Sequence, residues 1–295
     1  MSISASMVKE LRERTGAGMM ECKKALVETG GDMDRAIELL RKSGQAKADK
    51  RSGRIAADGR IVVATDGNKA VIAEINSETD FVAKDENFVA FVDSVAATAL
   101  ASNAEDVEAL LAESRADGKV IEAARTELVN KVGENISVRR FARIDAAEQL
   151  GSYTHGARIG AVVSLSGGDA ELARNIAMHV AATNPVCIDE AGVPAETLES
   201  ERRIITEQAA EQGQKSGKPP EIIEKMVGGR MAKFLKEITL LGQPFVRDPD
   251  VSVGELLKAA DAQVKEFIRY EVGEGIEKKQ ENFAEEVMSQ IKQSG

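Results

Sequence analysis

The sequence predicts an α+β protein. It reads as a small N-terminal three-helix module, a duplicated core with antiparallel sheets, an inserted helical hairpin and a C-terminal helix. Three observations carry this. Short alternating apolar runs occur around Gly-containing turns, and stripes of helical period are set apart from them. Val95-Ala-Ala-Thr98 returns as Val180-Ala-Ala-Thr183, each behind a strand-like run, which marks an internal repeat. Between 194 and 241 two helical runs flank Gly213-Gln-Lys-Ser-Gly-Lys-Pro-Pro220, the pattern of an antiparallel hairpin.

The elements follow in order. In residues 4–44, Val8 and Leu11 mark the buried face of a first helix, ended by Gly16 and Gly18. Met19, Cys22, Ala25 and Leu26 stripe a second, closed by Gly30-Gly31. Asp32 is the expected N-cap of a third, with Ala36, Ile37, Leu39 and Leu40 apolar and Gly44 as its close. Residues 45–60 have no apolar period and read as a tether. Lys47, Lys50, Arg51, Arg54 and Arg60 would suit RNA contact, but Asp49 and Asp58 interrupt the run, which favours a solvated linker.

Residues 61–65 and 69–75 form a strand pair around Asp66-Gly67-Asn68. A loop over 76–85 leads to a helix carrying Phe88, Phe91, Val92 and Val95. Helices follow near 105–113 and 119–133, then 136–144 alternates like a strand with one wet face. The second copy has a strand at 159–165, a turn at Gly167-Gly168 and a helix at 170–183. The helix motifs are offset by 85 residues and the strands, from Ala70 and Gly160, by 90. The first copy is therefore about five residues longer between strand and helix, in the loop 77–85. Function tends to sit in such elaborated loops.

In the hairpin, Leu198, Ile204, Ile205 and Ala209 line one helix, and Ile222, Ile223, Met226, Val227, Phe234 and Ile238 the other. Pro219 and Pro220 suit the start of the returning helix. Gly242-Gln-Pro-Phe-Val246 reads as a loop, 252–260 as a short helix, 264–272 as a strand, and 278–292 as a final amphipathic helix. The expected units are 1–54 (N-terminal module with linker), 55–145 (first core half), 146–276 (second core half with the hairpin at about 194–241) and 277–295 (C-terminal helical module).

Composition narrows the function. The 295 residues include 39 Lys+Arg and 49 Asp+Glu, a net charge of −10. That balance argues against broad binding to nucleic acid or anionic membranes. No apolar run reaches the ~18 residues of a membrane span, and the first ten residues lack the apolar stretch of a signal peptide. The expectation is a soluble, cytoplasmic protein. Cys22, Cys187, His155 and His179 match neither a zinc-ligand spacing nor a disulfide framework.

Two nucleotide-binding motifs almost form. Gly213-Gln-Lys-Ser-Gly217-Lys218-Pro219 has three residues where a Walker loop needs four, and ends in Pro. Gly16-Ala-Gly18-Met-Met-Glu21 lacks the third Gly and the preceding strand of a dinucleotide fingerprint. Both read as turn chemistry. His155 lies in a polar loop, and His179 on an Ala-rich helix reads as a satisfied core histidine; neither has a nucleophile or carboxylate assembled beside it. No catalytic residue, cofactor or metal is expected, nor direct nucleotide binding.

The segment Ser77-Glu-Thr-Asp-Phe-Val-Ala-Lys84 is different. With it, the chain resembles the elongation factor Ts family, the guanine-nucleotide exchange factors of elongation factor Tu. Val8-Lys-Glu-Leu-Arg-Glu-Arg-Thr-Gly-Ala-Gly-Met-Met-Glu-Cys-Lys-Lys-Ala-Leu26 is similar to the family's opening, ubiquitin-associated-type module. Thr79-Asp-Phe-Val-Ala-Lys84 matches its central signature. His155-Gly-Ala-Arg-Ile-Gly160, Met178-His-Val-Ala-Ala182, Gly242-Gln-Pro-Phe-Val246 and Arg269-Tyr-Glu-Val-Gly-Glu-Gly275 match further segments in order. Six ordered matches are specific where one would be weak.

The resemblance implies a modular chain that binds GDP-bound or nucleotide-free elongation factor Tu at several places, with a coiled-coil hairpin extending outward. Thr79, Asp80, Phe81 and Val82 would displace the partner's Mg²⁺; Lys23, His155 and Val246 would be further contacts. Each has a plainer alternative: Phe81 as a core anchor, Asp80 as a helix N-cap, Lys23 as a solvated charge. The chain departs from the family pattern at Arg247, where an apolar residue is expected after Val246. A partner-binding module without exchange activity is the alternative of another class. The sequence leaves open whether the complex is one-to-one or a dimer of heterodimers.

Overall fold

Ser4 accepts the Met7 N–H at 3.2 Å and Asp32 the Arg35 N–H at 3.0 Å, and these caps start two of three N-terminal helices. They are α1 (Ala5–Thr15), α2 (Met19–Glu28) and α3 (Met33–Ser52) in a computed structural model that describes residues 3–216 and 219–277. Val8, Leu11, Cys22, Ala25, Leu26 and Ala36 form their shared apolar core.

Gly44 does not close α3, and residues 45–52 are helix rather than tether. A Cβ at Gly44 would stand 2.7 Å from Asn130 Nδ2, so the missing side chain lets α3 pass close to a later helix. Ala48, buried in the first core cluster, continues the contact. Two small residues facing the core leave no apolar stripe in the sequence, while Gln, Ala and Lys sustain the helix.

Among the described residues, six longer strands form two three-stranded antiparallel sheets. β1 (Asp58–Asp66), β2 (Lys69–Ser77) and β3 (Ser137–Asp145) lie in the order β1-β2-β3. β4 (Gln149–His155) and β5 (Ile159–Ser166) are followed by the short pair β6 (Pro244–Phe245) and β7 (Asp248–Ser252), and then by β8 (Gln263–Glu271). The second sheet has the order β4-β5-β8. Strand β4 corrects the reading of Tyr153–His155 as loop. Its Gly151 packs so closely on a helix that a Cβ would lie 2.1 Å from Ala173 O, so the run lacks an apolar alternation.

The sheets face each other through Ile61, Ala70, Ile72, Ile144, Val162 and Val272. Helices cover their outer faces. Between β2 and β3 come α4 (Asp80–Ala83), α5 (Glu86–Ala101), α6 (Val107–Ala112) and α7 (Ile121–Val132). Phe88, Phe91, Val92, Val95, Leu110 and Val129 pack there on Val71, Ala73 and Ile75. Over the second sheet α8 (Ala170–Thr183) packs first. The hairpin of α9 (Ala195–Ser216) and α10 (Pro220–Ile238) follows, and α11 (Val253–Ala259) completes the layer with α8 through Ile176, Val180, Leu240, Val253 and Leu257. Strand β2 is thus buried on both faces from Ala70 to Ser77.

The repeat is visible in detail. Both sheets shift register at positions 90 apart, between Glu74 and Ile75 and between Ser164 and Leu165. Arg143 opposite Val71 and Arg269 opposite Ala161 each reach their own helix, donating to Ala99 O at 2.6 Å and Ala181 O at 3.2 Å. Residues 78–85 join strand to helix in the first copy and only 167–169 in the second, a difference of five.

The hairpin buries Ile205 and Ala209, but Ile204 and Ile222 are exposed, contrary to the stripe read from the sequence. Two antiparallel helices cover each other along a narrow seam, which takes fewer residues than a core-facing stripe. The helix expected over 278–292 lies outside the described residues.

Candidate functional site

One end of the sheet pair collects four segments. Strand β2 ends there at Ser77 beside the start of β1, since Asp58 pairs with Ser77. The turn between β4 and β5 is tied to it: Ile61 N–H donates to Ala157 O at 2.8 Å, and Arg158 pairs with Asp58 at 3.2 Å. The 133–136 turn enters β3 alongside, and the chain leaves β8 there, with Val272 N–H donating to Arg158 O at 2.8 Å.

From this end the elaborated loop projects. Thr79 is the N-cap of α4, accepting the Val82 N–H at 3.4 Å. Asp85 caps α5 through the Asn87 and Phe88 N–H groups. Asp80 is therefore not a cap, and that alternative is overturned. It occupies the first position of α4 and pairs with Lys84 Nζ at 2.6 Å. The Lys84 hydrogen bond holds its carboxyl below the ordinary range, and the Arg158 charge contributes.

Ala83 is buried, and Val82 packs half-buried on the first core cluster. Arg60 donates to Ala83 O at 3.3 Å. One side of this single helical turn is thus fastened down. Phe81, on the other side, is 81% exposed. Among the described residues it belongs to no core cluster, which removes the core-anchor alternative. The ring is therefore accessible from solvent on a turn held by its neighbours.

His155 ends β4 at the same end of the sheets. It is exposed, with Nδ1 3.4 Å from the Tyr153 hydroxyl. The other two candidates sit on different elements. Lys23 is exposed on α2 between Met20, 76% exposed, and Val27, 61% exposed. Val246 lies between β6 and β7 over α8 and is exposed.

Val246 owes its position to His179. The Val246 N–H donates to His179 Nδ1 at 3.2 Å, so the ring proton is on Nε2, which donates to Gln243 Oε1 at 2.9 Å. Gln243 Nε2 in turn donates to Glu237 O at 2.7 Å. His179 is fully buried, as a satisfied core histidine; burial pushes its pKa down, and the Gln243 hydrogen bond offsets part of that. Arg247 turns away from Val246 and donates to Asn175 Oδ1 at 2.7 Å.

Sequence reasoning missed the residues that hold the loop. Glu134 takes both donors of Thr79, and Glu78 accepts the Asn135 N–H. These pairs are more than 50 residues apart, and no local pattern joins them. Among the described residues no group of three or more His, Cys, Asp or Glu side chains is placed to hold a metal ion. Among them, too, no helix is long and apolar enough to cross a membrane.

Comparison with known proteins fits this geometry. The family model described as elongation factor TS matches residues 78–274, from the foot of the Phe81 loop to the exit from β8. The chain belongs to the elongation factor Ts family. An elongation factor Ts from Thioalkalivibrio sulfidiphilus is 63% identical over 296 residues, covering 99% of each chain. Those from Methylococcus capsulatus and Alkalilimnicola ehrlichii are each 60% identical over 297 residues and cover both chains in full. The family model takes in the first copy from the Phe81 loop onward and the second copy with the hairpin inserted in it.

Proposed function

We propose that this chain is a guanine-nucleotide exchange factor that binds GDP-bound elongation factor Tu and speeds release of its GDP. Membership of the elongation factor Ts family implies this role. The observation that carries the mechanism is the exposure of Phe81 on a turn whose other side is fastened to the core.

Nucleotide and Mg²⁺ are held in such a partner by fixed geometry: near-octahedral oxygens at the metal and backbone amides around the phosphates. Phe81 enters between packed elements of the partner, which shift rather than compress. Thr79, Asp80 and Val82 set its direction, and a small shift is enough to dislodge the metal. Without Mg²⁺ the diphosphate charge is uncompensated and GDP leaves faster. Reciprocity follows: nucleotide must weaken binding of the factor as much as the factor weakens nucleotide, so incoming GTP ejects it. No covalent bond changes, and the role is not that of a chemical enzyme.

Lys23, His155 and Val246 supply further contacts in this reading. The exposed Met20 and Val27 beside Lys23 suit an apolar partner surface. Binding at dispersed sites provides the energy that distorts the partner. The role places the chain in the cytoplasm with its partner.

The test is release of a fluorescent GDP from purified elongation factor Tu, with increasing amounts of this chain. The release rate is expected to rise and saturate. Binding without acceleration would support instead a recruitment module, which the Met20–Val27 surface alone would serve.

A further inference from the structure

A four-residue helix cannot hold its own direction, because a single turn fixes many dihedral angles for few hydrogen bonds. The orientation of Phe81 must therefore be imposed from outside α4. Val82 and Ala83 fix its depth on the core. Its angle is set elsewhere, at Thr79.

Thr79 is gripped by one carboxylate. Its N–H donates to Glu134 Oε2 at 3.0 Å, and its hydroxyl donates to Glu134 Oε1 at 2.7 Å. The same hydroxyl oxygen accepts the Val82 N–H that opens α4. With its proton committed to Glu134, its lone pairs are left to face Val82. The neighbouring residues complete the grip: the Asn135 N–H donates to Glu78 Oε1 at 2.6 Å. Two consecutive residues of the 133–136 turn thus hold two consecutive residues of the loop.

Asn135 also faces the other way. It is 5% exposed, and its Nδ2 donates to Ser52 O at 3.3 Å and Arg54 O at 2.8 Å, at the end of α3. Arg54 Nη1 lies 3.5 Å from the Glu78 carboxylate. The helix that leads out of the N-terminal module and the loop that carries Phe81 therefore end on the same dipeptide.

We propose that Glu134 and Asn135 are positioning residues for exchange. Glu134 orients α4 through Thr79, and Asn135 ties that orientation to the end of α3, so the N-terminal helices and Phe81 are presented to a partner as one unit. This rests on the reading that Phe81 acts on the partner's nucleotide site.

The experiment uses the full chain and two readouts. The first is fluorescent GDP release from elongation factor Tu, resolved into its maximal rate and its half-saturating concentration. The second is amide hydrogen exchange of the chain alone over residues 78–83, with β2 and α5 as internal reference. Glu134→Ala is expected to lower the maximal rate about tenfold, since small misplacements cost one to two orders of magnitude. The half-saturating concentration should move less than about threefold, because the other contacts are intact. Protection over 78–83 should fall while β2 and α5 stay protected, which general destabilisation would not produce.

Asn135→Ala cuts the side-chain tie to α3 but keeps its N–H to Glu78, and should also raise exchange over 78–83. Thr79→Ser keeps both donors to Glu134 and should keep the protection over 78–83 of the unaltered chain. A Glu134→Ala chain with unchanged maximal rate, or with unchanged protection over 78–83, overturns the positioning role. Asn135→Ala without effect on 78–83 overturns the link to α3. If the unaltered chain leaves GDP release unchanged, the exchange reading falls, and the protection data by themselves decide whether Glu134 and Asn135 set the loop.

Discussion

Glu74 on β2 accepts Arg140 Nε from β3 at 2.6 Å, with the Glu74 carboxylate wholly removed from solvent. The register shift between Glu74 and Ile75 makes this possible, because it places the consecutive Arg139 and Arg140 against one carboxylate. Asn76 Nδ2 and the Gly273 N–H complete its partners, and Arg140 stacks over Tyr270 at 4.1 Å. The cluster therefore joins the first sheet to the exit of β8. The equivalent position of the second copy is Ser164, so the charge belongs to the first copy alone.

Removing the carboxylate leaves two guanidiniums without their buried partner. Glu74→Ala is expected to cost about 3–5 kcal/mol of stability, measured by denaturant unfolding. The acid dependence has a definite sign. Burial pushes the Glu74 carboxyl up, but the Gly273 N–H, Asn76 and the two arginines outweigh it and hold its pKa below the usual value. Its contribution is thus complete above about pH 4.3, the ordinary Glu value, and is lost as pH falls through the lowered folded value. The stability gap between the unaltered chain and Glu74→Gln should narrow on going from pH 7 to pH 3.

His179 titrates in a different window with the same sense. Its folded pKa is depressed, so the unfolded chain takes up the proton first, and stability falls as pH drops below about 6.5. Protonation would set an N–H on Nδ1 against the Val246 N–H and release the Phe245–Val246 segment. Protection of the Val246 amide, corrected for the intrinsic exchange rate, should therefore fall as pH drops below about 6.5. A His179→Asn chain should lose that pH dependence while being less stable throughout.

Two phenylalanines seven residues apart differ completely in burial. Phe88 is fully buried in the first core cluster, and Phe88→Ala should cost about 3–5 kcal/mol. Phe81 is exposed, and Phe81→Ala should change stability by less than about 0.5 kcal/mol. Thermal unfolding of the two variants checks both. A large loss at Phe81 would show that it has a structural contact within the chain.

The sequence revealed what period and repetition encode. The strand pair around Gly67, the Phe88–Val95 face, α8 to its last residue and the five-residue excess in the first copy follow from spacing alone. The Phe81 segment was legible because loop excess and family signature coincide. Two kinds of feature were not. Strand β4 and the second half of α3 pack through Gly151, Gly44 and Ala48, whose contribution is the absence of bulk and leaves no apolar pattern. The ties of Thr79 to Glu134, of Asn135 to Ser52 and of His179 to Val246 join residues that only tertiary structure makes neighbours.

The central claim is that Phe81 acts on a partner's nucleotide site, and one comparison tests it most directly. Stopped-flow release of a fluorescent GDP from elongation factor Tu is measured at saturating concentrations of the unaltered chain and of Phe81→Ala. Loss of a central hot-spot aromatic is worth about 2–4 kcal/mol, so the accelerated rate should fall by roughly thirtyfold or more while the fold is unchanged. A Phe81→Ala chain that releases GDP as fast as the unaltered one would contradict the account.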